Sequence, residues 1–151
     1  MASPTFHTAD GGWVTCALVR ELVPEGAGRR SAGAIDPEAI ARLRRLGGDD
    51  LAGTLAAMFL DLAPRRLEAA RAGLTCGDAD AVRRAAHSLK SSAGNVGALA
   101  VLEAADRLEA AAEKGTGATM LEPLLEALST AYAVASIELE VLAGSRGRSH
   151  G

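Results

Sequence analysis

The sequence predicts an all-α fold, an antiparallel up-down four-helix bundle with a short additional helix ahead of it. Three observations carry that prediction. Aromatic residues make up only 3% of the 151 residues, so apolar volume must come from Ala, Leu, Val and Ile, and abundant Ala and Leu favour helix over sheet. Apolar positions recur at helical spacing along most of the chain. Gly, Pro and capping residues divide that pattern into segments of helix length.

The first predicted helix spans about 36–46, where Asp36 is an N-cap, Pro37 takes the first helical position and Gly47-Gly48 closes the segment. Asp49 or Asp50 then caps a second helix over about 50–74. Its apolar positions Leu51, Leu55, Met58, Phe59 and Leu62 change phase to Leu67, Ala70 and Leu74 at Pro64, which predicts a kink there. Gly77-Asp78 opens a third helix carrying Val82, Ala86, Leu89, Ala93 and Val96 and ending near Gly97. A fourth follows with Leu99, Leu102, Ala105, Leu108 and Ala112 before Gly115. Thr119-Met120-Leu121-Glu122 has capping-box spacing with Pro123 in the first turn, and the fifth helix runs on through Leu125, Leu128, Tyr132, Ala135, Leu139 and Leu142. The second to fifth helices make the bundle.

The length fits one domain and is enough to bury a core without disulfides or metal. Residues 35–143 are assigned to it. Residues 1–34 read as an N-terminal tail or linker, in which 13–23 can form one or two helical turns against the main domain; residues 144–151 read as a disordered basic tail in which His150 is idle. A net charge of −3 and a pI near 5.6 argue against nucleic-acid binding. No apolar run approaches the roughly 20 residues of a membrane span, and the first ten residues lack the features of a signal peptide. The expectation is a cytoplasmic protein, with no membrane partner and monomeric by default. Cys16 and Cys76 follow no metal-ligand spacing and are read as reduced thiols.

His87 is the residue that breaks the pattern. The five apolar positions of its helix cluster within roughly 40° of one direction, whereas His87 points about 140° away, towards solvent. On its flank lie Arg83, Lys90, Ser91 and Gly94. A lone surface histidine is usually inert. Here a neutral imidazole, a nucleophile, has a lysine three positions on to meet the charge of a phosphoryl group, and small Ser91 and Gly94 leave room for a partner. Arg83, Arg84 and Lys90 make the local surface basic in this reading.

The string Ala86-His87-Ser88-Leu89-Lys90-Ser91-Ser92-Ala93-Gly94-Asn95-Val96-Gly97-Ala98 resembles the signature of histidine-containing phosphotransfer (HPt) domains, His-x-Leu-Lys-Gly-Ser-(Ala/Ser)-x-x-x-Gly-Ala. It matches at His87, Leu89, Lys90, Ser92, Ala93, Gly97 and Ala98. The resemblance covers roughly residues 35–114 and departs at Ser91, where the family usually has Gly; this puts transfer rate or partner range in doubt more than activity.

The resemblance implies a bacterial phosphorelay carrier that receives a phosphoryl group on His87 from the receiver domain of a hybrid histidine kinase and hands it to a response regulator. His87 would be the nucleophile through Nε2, and Lys90 would stabilise phosphoryl charge. Arg83 and Arg84 would steer the receiver, with Ser91 and Gly94 in the partner's footprint, Ser92 making a structural hydrogen bond and Gly97 ending the helix. The sequence has no P-loop and no carboxylate cluster flanking His87, so no cofactor or metal of its own is expected and Mg²⁺ should come with the receiver. The alternatives are a phosphorylation-independent adaptor or inhibitor and, less well supported, the phosphoacceptor part of a histidine kinase, which would need an ATP-binding domain for which there is no room.

Overall fold

The computed structural model describes residues 5–7, 13–15 and 34–145. Four helices form the bundle: α1 Pro37–Thr75, α2 Ala79–Val96, α3 Leu99–Glu113 and α4 Ala118–Gly144. α2 packs on α1 and α3, and α4 packs on the same two, so α2 and α4 stand at opposite corners. Ahead of the bundle, β1 Thr5–His7 pairs antiparallel with β2 Trp13–Thr15, with Phe6 opposite Val14. The helical turns expected from residue 13 are therefore corrected for Trp13–Thr15, where an aromatic and two β-branched residues suit an extended strand. The rest of that segment, residues 16–33, lies outside the described residues, as does the basic tail beyond Ser145.

The two predicted N-terminal helices are run together in α1 with a break between them. Gly47 and Gly48 alone have non-helical dihedrals, and Gly48 has φ 71°. Gly48 is thus in the left-handed region that glycine adopts without a Cβ penalty. Arg44 Nε reaches Asp49 Oδ1 across the break at 2.7 Å. Asp36 caps the start by accepting from the Glu38 N–H at 3.1 Å, ahead of Pro37. Asp78 caps α2 in the same manner through Ala81 N–H at 3.0 Å.

Pro64 does not mark a change of phase. The buried face of α1 runs Ala52, Ala56, Phe59, Ala63, Leu67 and Ala70, steps of three and four straight through the proline, while Met58 is exposed. A stripe of alanines makes this seam, and following only the large residues mistakes its flanks for its centre. Because Pro64 lacks an N–H, the Leu60 carbonyl loses its helical partner. The Tyr132 hydroxyl donates to that carbonyl at 3.4 Å, and the Tyr132 ring packs on Phe59 at 6.0 Å.

The α2 stripe is buried as expected: Val82, Ala86, Leu89, Ala93 and Val96 share one core with Val101 and Leu108 of α3 and Leu128 and Leu139 of α4. The predicted capping box at the start of α4 is not used. Gly117 in extended conformation is the N-cap and Thr119 already lies inside the helix, which puts Pro123 beyond the first turn. By length and composition α4 is apolar enough to cross a membrane, contrary to the sequence expectation. Its Leu121, Leu125, Leu128 and Leu139 are nevertheless core residues, and a core helix meets the same description.

Candidate functional site

His87 is on the outer face of α2, with its side chain 59% exposed. Its Nδ1 lies 2.7 Å from Oε1 of Glu109 on α3. A carboxylate can only accept, so Nδ1 carries the proton and the neutral ring has its lone pair on Nε2. Nε2 has no hydrogen-bond partner among the described residues. The inner nitrogen is held and the outer one is available for nucleophilic attack.

Glu109 also serves Lys90. Lys90 Nζ is 2.5 Å from Glu109 Oε2 and 3.1 Å from Asp106 Oδ1. One carboxylate, only 14% exposed, thus bridges imidazole and ammonium. The hydrogen bond from Lys90, aided by that from His87, holds the Glu109 carboxyl below the ordinary range against the opposing effect of burial. The bonds from Glu109 and Asp106 raise Lys90 above the ordinary lysine range.

The sequence reading missed Glu109 and Asp106, and the statement that no carboxylate flanks His87 is corrected. A signal for them existed. α2 and α3 form a tight antiparallel hairpin about Gly97-Ala98, so residues equidistant from Ala98 face one another. His87 faces Glu109 and Lys90 faces Asp106. A Cβ at Gly94 would meet Leu102 at 3.4 Å, and Arg83 feels the charge of Glu113; both pairs obey the same symmetry.

The expected basic surface is also corrected. Arg83 and Arg84 both bond Asp80, at 2.9 and 2.8 Å, and Lys90 is paired twice, so every cation on this flank of α2 has a carboxylate partner. The bond from Arg83 lowers the Asp80 carboxyl and raises the guanidinium in turn. Ser91 is exposed one turn beyond His87, Gly94 is half-buried against α3, and Ser92 is half-buried. No hydrogen bond from the Ser92 hydroxyl is present among the described residues, in place of the structural bond expected; its remaining exposure lets water satisfy it.

Gly97 ends α2 in the left-handed conformation, φ 74°, and its N–H reaches the Ala93 carbonyl. A Cβ there would sit 2.6 Å from Ala39 Cβ, and the Gly97 carbonyl accepts from Asp36 N–H at 2.8 Å. The corner that sets the α2–α3 register is therefore clamped to the start of α1. Among the described residues no group of three or more His, Cys, Asp or Glu is arranged to hold a metal ion. Cys76 is exposed and unpaired, and Cys16 lies outside the described residues.

A helical bundle presenting one exposed imidazole, its proton fixed on the inner nitrogen and a lysine alongside, defines a histidine phosphotransfer module. The family model of the Hpt domain matches residues 54–138, and the chain belongs to that family. The crystal structure of histidine-containing phosphotransfer protein B (HptB) from Pseudomonas aeruginosa PAO1 is similar, with TM-score 0.69 and 29% identity over 78% of this chain and 98% of that one. A search of curated proteins finds no significant match. The protein is thus a phosphotransfer protein of the kind that works with receiver domains and response regulators in phosphorelays.

Proposed function

We propose that His87 accepts the phosphoryl group of a receiver-domain aspartyl phosphate of a hybrid sensor kinase through Nε2 and passes it to the aspartate of a response regulator. The observation that carries this reading is the Nδ1 bond to Glu109, which leaves the Nε2 lone pair on the side of the ring away from that carboxylate. Attack by Nε2 forms the N–P bond as the P–O bond to the receiver aspartate breaks, and the aspartate leaves as a carboxylate. The ring then bears a positive charge with its proton still on Nδ1. Glu109 Oε1, 2.7 Å away, supplies the opposite charge where it develops. Transfer onward reverses these changes.

Lys90 is the cation for the phosphoryl oxygens. Its pairing with Asp106 is at the surface, where ion pairs are weak, and its four-carbon stem lets the ammonium move from that carboxylate to a phosphoryl group while Glu109 stays in place. Arg83 and Arg84, shared by Asp80, retain donors for a docking partner. Exposed Leu46 and Met58 on α1, the helix against which α2 packs, give apolar area to such a docking surface. Nucleotide is handled by the kinase, Mg²⁺ is brought by the receiver, and the protein acts as a cytoplasmic monomer.

The test is incubation of the full chain with a phosphorylated receiver domain and Mg²⁺. Acid-labile, alkali-stable label is expected on the wild type and none on His87→Gln. Equal labelling of His87→Gln would overturn the assignment. Absence of transfer from every receiver of the source organism would favour a phosphorylation-independent adaptor.

A further inference from the structure

The C-terminal half of α4 exposes a stripe of large apolar residues. Val134, Ile137 and Val141, spaced three and four apart, form one stripe and are 39%, 66% and 69% exposed. Beside it, the Ala34 N–H donates to Glu138 Oε1 at 2.6 Å. Residues 1–33 therefore join the bundle next to Ile137, within one turn of both valines.

We propose that this stripe is the seat of the chain's own N-terminal segment, with Trp13 of the β1–β2 ladder and Leu18, Val19, Leu22 and Val23 after it as the covering residues. Three features favour that occupant. A lone two-stranded ladder is marginal in water and needs a surface to pack on, and this chain has both the ladder and an uncovered apolar face. Residues 24–33 can extend to about 35 Å, whereas the stripe is only about 10 Å long, so the segment reaches it with slack. Charge then selects against a second copy: α4 carries Glu122, Glu126, Glu138 and Glu140 and no Lys or Arg. Two α4 faces would bring like charges together, while Arg29 and Arg30 precede the residue that meets Glu138.

Because α4 is at the corner opposite α2, a segment seated there leaves His87 open. It adds a docked layer to the bundle without competing for its phosphoryl site, and it lies outside the residues matched by the family model, 54–138.

The sequence contains one tryptophan, Trp13, which makes the test direct in the full chain. Trp13 emission should be blue-shifted from that of the denatured chain. Ile137→Glu, a change at an exposed position, should move it red and increase acrylamide quenching several-fold with helical circular dichroism unchanged. The double variant Arg29→Glu, Arg30→Glu should give a smaller shift in the same direction. The proposal is overturned by solvent-like Trp13 emission in the native wild type, or by native emission that Ile137→Glu leaves unmoved. It is equally overturned if emission depends on protein concentration and sedimentation shows a dimer, since the stripe then belongs to a second copy.

Discussion

The α2–α3 seam and the α1–α4 seam use polar groups for opposite ends. At the first, His87, Lys90, Asp106 and Glu109 meet at the rim of the bundle, where no backbone group depends on their bonds. At the second, Tyr132 bonds the carbonyl left bare by Pro64, and Arg71 Nη2 donates to Ser129 Oγ at 3.0 Å. The first network sets which ring nitrogen carries a proton; the second repairs a helix. Polar bonds at one seam thus control chemistry with little share in stability, and at the other the reverse holds.

The largest effect should come from disturbing the corner on which the first seam depends. Gly97→Ala imposes a left-handed conformation on an L-residue, costing about 1–2 kcal/mol. It also drives a methyl into Ala39, 2.6 Å from its Cβ, which adds about 1–3 kcal/mol of overpacking. Denaturant melts should show a loss of about 2–5 kcal/mol. A Gly97→Ala protein as stable as wild type would show that the clamp between α2 and the start of α1 is not tight.

Next is Glu109→Ala, which should separate chemistry from stability. Without the acceptor, the Nε2–H tautomer becomes populated and the nucleophilic nitrogen is turned inward. The rate of phosphoryl acceptance should fall by about tenfold or more, the range seen when a carboxylate that orients a functional histidine is removed. Nitrogen NMR of His87 should show Nδ1–H in the wild type and a mixture in the variant. A slower rate with an unaltered tautomer would assign Glu109 a purely electrostatic role. The pH dependence has a fixed sign. Glu109 titrates below the ordinary glutamate value of 4.5, so its bonds are fully present above that value and are lost as pH falls through the lowered one.

Much of this was legible before the structure, and the lapses have physical causes. The α2 stripe could be read because its apolar residues are large or lie between large ones, and His87 stood out by pointing away from them. The α1 seam was misread because alanine is counted as filler beside leucine, although Ala52, Ala56 and Ala63 are what let helices approach closely. Glu109 was missed because it lies 22 positions from His87, beyond any motif. Reflection about Ala98 would have found it once an antiparallel hairpin was assumed. The basic surface is an artefact of counting cations without their partners: Asp80 pairs Arg83 and Arg84 from within α2, and Asp106 and Glu109 reach Lys90 from the next helix.

The smallest effect belongs to the second seam. Tyr132→Phe keeps the ring against Phe59 and removes only the hydroxyl that donates to Leu60, so the loss should be about 1 kcal/mol, that of one hydrogen bond with its acceptor left behind. Phosphoryl transfer at His87 should not change. The same residue predicts behaviour in base. Burial, helped by the charge of Glu140, raises the Tyr132 phenol above its ordinary value of 10.0. The unfolded chain therefore loses that proton first: the contribution of Tyr132 is whole below about pH 10 and is lost as pH rises through the raised value. Tyr132→Phe should be less stable than wild type at neutral pH yet decline less between neutral pH and strong base, so the two stability curves converge. Parallel curves would mean that the hydroxyl is solvated in the native state, leaving the Leu60 carbonyl to water.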